Sequence, residues 1–247
     1  MPGYARNFLK KVICRLDFPV ILRLRGDSPA ALQETLKSRF PKSAESVVLA
    51  VKREESVTDG AQLKIEEPVT QWEFRTRDNA SKLTLSRSFL VLETQAYAEF
   101  APFYESFAAA FSSLQEQYSP QVYTRLGLRY INVVERERGD ALDWAGWFAP
   151  ELIAHLRFAY PGALLQAMER TTVQTGSGRA VLQYGINNPD FPAPIVRREF
   201  VLDIDCYTDE DMEPGEVISK LGSLNVDAVD LFERAVGCEL RKRLEGR

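Results

Sequence analysis

Ten residues, Arg125-Leu126-Gly127-Leu128-Arg129-Tyr130-Ile131-Asn132-Val133-Val134, constrain this chain more than any other stretch. At a strand's period of two, Leu126, Leu128, Tyr130, Asn132 and Val134 point one way, and Gly127, Arg129, Ile131 and Val133 the other. Both faces are at least half apolar, which predicts a central strand covered on both sides. Arg129 and Asn132 set a charge and an amide inside that run. A buried guanidinium is costly unless it meets a carboxylate or several carbonyls. Arg129 is therefore expected to be mostly buried, beside polar partners.

The elements around this strand follow from periodicity and punctuation. Lys11 to Phe18 reads as the first strand, and Ser28-Pro29 opens a helix that runs through Leu32, Leu36 and Phe40 to Pro41. Ser46 to Val57 alternates as a strand, Asp59-Gly60 marks a hairpin turn into Ala61–Glu66, and Gln71–Arg77 is a further strand. Lys82–Ser86 and Phe89–Thr94 are one bulged strand or two separate ones. The clearest helix carries Phe103, Phe107, Phe111 and Leu114 at gaps of three and four, and its stripe is read as core packing on a sheet.

After Pro120 the cycle repeats. The Arg125 strand leads to an aromatic-rich segment, Trp144 to Tyr160, expected to be helical around Leu152, Ile153 and Leu156. Then come a strand from Ala163 to Thr175, a tight turn at Gly176-Ser177-Gly178, and strands over Arg179–Asn187 and Arg198–Tyr207. The last helix is expected to carry Val229, Phe232, Val236, Leu240 and Leu244. Strand, helix, antiparallel strands, long helix thus occurs twice, roughly in 8–118 and 122–246. The expected class is α+β, a mostly antiparallel sheet with helices packed on one face. Two related halves, 1–119 and 120–247, would either stand apart or share one continuous sheet.

Composition bounds the function. The 247 residues carry 31 basic and 35 acidic side chains, a net charge of −4, with no basic run, which argues against a nucleic-acid partner. No apolar run reaches the roughly 18 residues of a membrane span. The apolar stretch after Lys10 and Lys11 is cut by Arg15 and Asp17, so it reads as a strand and not a leader. Three cysteines, Cys14, Cys206 and Cys238, have no paired spacing and fall on apolar faces. They are read as buried, inert thiols of a cytoplasmic protein.

Most catalytic signatures are missing. His155 is the single histidine, and neither a Walker-type phosphate loop nor a dinucleotide fingerprint is present. Asp203 and Asp205, at i and i+2 on one strand, share a face and can hold a divalent ion, or can pair with Arg129 if that face is concave. A broader polar group contains Arg125, Arg129, Asn132, Glu169, Arg170, Gln183, Tyr184, Asn187 and Asn188. Arg125, Arg129, Asn132, Glu169, Tyr184 and Asn187 are the candidate ligand-binding residues. The structural alternative is an ion-pair network in which Glu169 neutralises Arg129.

The order of a first strand ending in Phe18, then Tyr97…Phe100…Phe103, then Arg125-Leu126-Gly127-Leu128-Arg129-Tyr130-Ile131-Asn132, then Asp203-x-Asp205-x-Tyr207 resembles a sporadically distributed bacterial family of unknown function. The chain departs at Asn7-Phe8, where the family shows Asn-Pro. The resemblance brings no catalytic residues. It implies membership of accessory or defence-type gene cassettes and a partner encoded nearby. The expectation is a non-catalytic ligand- or protein-binding module with no cofactor. Its partner would be an unidentified protein or a small anionic ligand, homodimerisation being left open. The rival is a metal-dependent enzyme acting on phosphate esters through Asp203, Asp205 and Glu169.

Overall fold

The computed structural model describes residue 4 and residues 6–25, 27–56, 60–157 and 164–246, with backbone alone for those between 50 and 67. The strands are β1 (Leu9–Asp17), β2 (Lys42–Ser56), β3 (Gly60–Arg75), β4 (Ser81–Ser86), β5 (Phe89–Thr94), β6 (Arg125–Glu135), β7 (Ala167–Gln174), β8 (Arg179–Ile186) and β9 (Glu199–Thr208). They form one nine-stranded antiparallel sheet in the order β2-β3-β4-β5-β1-β6-β9-β8-β7. The helices are α1 (Ala30–Leu36), α2 (Phe100–Tyr118), α3 (Pro150–Ile153), α4 (Pro214–Ala235) and α5 (Cys238–Leu244). The fold is α+β with an antiparallel sheet.

The two strands that begin each cycle, β1 and β6, pair with each other near the middle of the sheet, Cys14 opposite Leu128 and Ile13 opposite Arg129. Alternate residues decide which side is core. Val12, Cys14 and Leu16 on β1, Leu126, Leu128 and Tyr130 on β6, and Phe200, Leu202, Ile204 and Cys206 on β9 are all fully buried. Each large side chain among them stabilises the fold by roughly 1.5–3 kcal/mol through burial. The helices lie over this face. α4 rests on β6 and β9 with Val217, Leu221, Leu224 and Phe232 turned inward, and α2 contributes Phe103, Phe107, Phe111 and Leu114. The Tyr130 hydroxyl donates to Asn225 Oδ1 at 2.7 Å, so that polar end within the core layer is satisfied.

No helix covers the other face of β6 among the described residues, and Arg129, Ile131 and Val133 there are partly exposed. The expected cover on both sides is thus corrected. The half-apolar character of that face comes from Ile131 and Val133, which stay partly exposed beside Arg129.

Several boundaries differ from expectation. β3 is one strand where two were expected, running through Pro68, beside which its pairing with β2 shifts register. Asp59 of the expected turn lies outside the described residues, as do Tyr160 and Ala163. β4 and β5 are separate strands, because Ser86 pairs with Phe89 across a two-residue link. α1 stops at Leu36, although Phe40 beyond it is buried. The aromatic segment after β6 is mainly irregular, with α3 only four residues long. The final apolar run spans two helices. The chain breaks at Val236, where Gly237 N–H donates to the Trp147 carbonyl at 2.7 Å and Glu239 N–H to that of Gly146 at 2.9 Å. The Gly176-Ser177-Gly178 turn does join β7 to β8, and Asp227 of α4 accepts from Ser177 N–H at 2.9 Å. Cys14 and Cys206 are buried, but Cys238 is exposed at the start of α5, contrary to expectation. No helix of the described residues is long and apolar enough to cross a membrane.

Candidate functional site on the open sheet face

The uncovered face of β1, β6 and β9 gathers most of the sheet's central charge. In register across the strands, Gly127 lies between Arg15 and Tyr207, and Arg129 between Ile13 and Asp205. Arg125 and Arg129 flank Gly127 along β6, and Asp17 and Arg15 flank it from β1. Around them Ile13, Val91, Ile131, Val133 and Val201 leave apolar surface partly exposed. The face is therefore amphipathic, with an ionic centre.

The two arginines of β6 are held differently. Arg129 donates from Nε to both Asp203 oxygens, at 2.8 and 3.1 Å, with Nη2 on the second oxygen as well. This fork geometry is the strongest ion-pair arrangement available to arginine. Asp203 is 8% exposed and Arg129 38%, so the pair sits half-embedded in the side-chain layer. Of the carboxylates that the sequence offered to Arg129, the partner is Asp203 and not Glu169, and Arg129 is more exposed than a residue inside the core.

Arg125 has no such fork. Its nearest carboxylate oxygens are on Asp205, at 3.6 Å, and on Asp17, at 3.9 Å, both beyond hydrogen-bond length. A Cβ built on Gly127 would meet the Arg125 guanidinium at 2.9 Å, so that guanidinium lies against bare backbone. Its Cζ is 5.1 Å from the centroid of Tyr207, whose ring also has Arg179 at 5.5 Å. Asp17 is occupied by Arg15, whose Nε donates to it at 2.9 Å, and Asp209 by Arg179. Burial pushes the Asp205 carboxyl above the ordinary carboxylate range, Arg125 and Arg129 pulling it down and Asp203 pushing it up.

No protein-family model and no curated protein matches this chain. The site is read from its own geometry.

That geometry divides the sequence-predicted residues. Arg125 and Arg129 share the open face with Gln183, opposite Asp203, and with Arg170, opposite Gln183. Asn132, Tyr184 and Glu169 lie in one row on the opposite side, with Leu202 between Asn132 and Tyr184. Asn132 is buried and donates to the Leu202 carbonyl at 3.1 Å, a structural bond. Tyr184 stands near His155, ring centroids 5.9 Å apart, and Glu169 is exposed on the edge strand β7. Asn187 follows β8 and accepts from Gln166 at 3.1 Å, and Asn188 braces the next loop through the Leu165 and Ala193 carbonyls. The three carboxylates of the metal-enzyme alternative do not converge, since Glu169 is on the opposite side from Asp203 and Asp205. Among the described residues no group of three or more metal-ligating side chains is assembled.

Arg15, Asp17 and Tyr207 complete the site and were not singled out as binding residues from sequence. Their signal was available only as position on a strand of known register.

The two arginines give one clean prediction. Arg129→Met leaves Asp203 without its fork. The expected loss is about 1–3 kcal/mol, the cost of stranding a largely buried charged acceptor, reduced because Arg129 itself is partly solvated. Urea unfolding of both proteins measures it. A loss near zero would show that Asp203 finds water or another donor.

Proposed function

We propose that this protein is a non-catalytic binding module whose recognition surface is the open sheet face around Arg125. The observation that carries this reading is the contrast between the two arginines. Arg129 is consumed by Asp203, whereas Arg125 makes no hydrogen bond among the described residues and is laid out over Gly127. Five N–H donors held flat, backed by the Tyr207 ring and rimmed by half-exposed aliphatics, suit a carboxylate or phosphate presented by a protein or small-molecule partner.

Gly127→Val tests the reading without deleting the arginine. The new side chain occupies the space of the guanidinium, which is the movable end of a flexible chain. Valine is also the better strand former, so stability should hold or rise by up to ~1 kcal/mol. Partners recovered from a host lysate by the wild-type protein and identified by mass spectrometry should be lost from Gly127→Val and from Arg125→Met alike. Titration with inorganic phosphate and an oligo-aspartate peptide, followed by NMR of the arginine Nε–H resonances, should move Arg125 and leave Arg129 in place. Recovery that is equal for all three proteins, with a still Arg125 resonance, would overturn the proposal.

A further inference from the structure

A second site lies on the helix-bearing side, where the ends of β3, β4 and β5 meet α2. A cavity of about 150 Å³ opens there, with Phe40, Leu92, Tyr97 and Phe103 as its buried floor. A space of that size takes a body of roughly benzene dimensions. Hydroxyls line one wall: Ser81 Oγ and Thr94 Oγ1 lie 2.8 Å apart, with Thr76 beside them.

The rim carries two opposite charges, Arg39 and Glu99. Among the described residues neither joins an ion pair, with each other or with any third group. Arg39 Nη1 donates to Ser106 Oγ at 2.9 Å, and Ser106 in turn donates to the Pro102 carbonyl at 2.8 Å, so the guanidinium is steered while its other donors stay unused. Glu99 occupies the N-cap of α2 but its side chain makes no capping bond. Its carboxylate is therefore not consumed by the helix. An apolar pocket of one side chain's size, with an unpaired cation and an unpaired anion on its rim, is complementary to a molecule carrying both charges on a short apolar body.

We infer that this cavity binds a free α-amino acid with a branched aliphatic or phenyl side chain. The ligand carboxylate meets Arg39, its ammonium meets Glu99, and its side chain rests on Phe40, Leu92 and Phe103. The site is separate from the open face and does not depend on the function proposed for it.

Isothermal titration with L-leucine and L-phenylalanine tests the inference, with 4-methylpentanoate, isoamylamine and glycine as probes lacking one charge or the apolar body. Saturable heat is expected for leucine or phenylalanine, with affinity at least about tenfold weaker for each incomplete probe, since each lacks one full set of contacts. Arg39→Met and Glu99→Gln alter exposed side chains and should keep the wild-type melting temperature while weakening binding by a similar factor. Absence of saturable heat with both amino acids would overturn the inference. So would equal binding of 4-methylpentanoate or isoamylamine, or amino-acid binding unchanged in both variants.

Discussion

Phe200→Ala is expected to destabilise the protein by about 3–5 kcal/mol, the range for truncating a buried aromatic whose surroundings cannot collapse onto the space. Phe200 is fully buried on β9 and stacks on Phe148 at 4.1 Å between centroids and 26° between planes, with Trp144 tilted against it at 5.4 Å. These aromatic contacts hold the irregular segment after β6 onto the sheet. That segment in turn supplies the carbonyls that receive Gly237 and Glu239 at the α4–α5 break. The melting temperature should fall by on the order of 10 °C, as the scaling for a chain of this size implies. Near-ultraviolet dichroism from Trp144 and Trp147 should weaken as well. A loss below ~1 kcal/mol would mean that the segment is held chiefly by its backbone hydrogen bonds.

Gly185→Ala should cost at least about 2 kcal/mol, through backbone strain and steric overlap together. Gly185 has φ +132°, a conformation that side chains rarely adopt, and a Cβ there would overlap the Ala167 carbonyl oxygen. That carbonyl belongs to β7, the edge strand, which pairs only with β8 and buries little. The damage should therefore concentrate at that edge, and amide exchange along β7 should quicken before global stability is lost. Gly222→Ala is the matched control. It lies inside α4 with nothing within 4 Å of its added Cβ, so a gain of roughly 0.5–1 kcal/mol is expected from helix propensity. If Gly185→Ala and Gly222→Ala were alike, the positive φ at position 185 would carry no energetic weight.

The open-face site was legible in part. Period-two alternation over Arg125–Val134 placed Arg125 and Arg129 on one face and Asn132 on the other, because side-chain direction in a strand follows from residue parity alone. It left undetermined which carboxylate meets Arg129. Asp203 lies 74 residues away in sequence and meets it because β9 docks beside β6, with Ile131 opposite Asp203. Glu169 was a reasonable partner by charge, but β7 lies two strands beyond β9, and the parity of its pairing turns Glu169 to the other side. Grouping polar residues by type therefore merged two faces that the sheet keeps apart. Cys238 misled for a related reason. Its apolar neighbours were assigned to one continuous helix, whereas the break at Val236–Gly237 starts a new helix and leaves the thiol exposed.

Local chemistry by itself determined the α+β class, the α2 stripe, the Gly176–Gly178 turn and the face on which each residue of β1, β6 and β9 lies. These depend on backbone periodicity and turn geometry, which act over a few residues. Tertiary structure alone decided that β1 and β6 join the cycles into one sheet, and which of the two arginines is forked to a carboxylate. Strand order and register are set by which apolar faces pack most completely, a sum over the whole chain that no short window contains. Arg125 and Arg129 look alike in sequence. Asp203 lies within fork reach of one, and the bare backbone of Gly127 lies beneath the other.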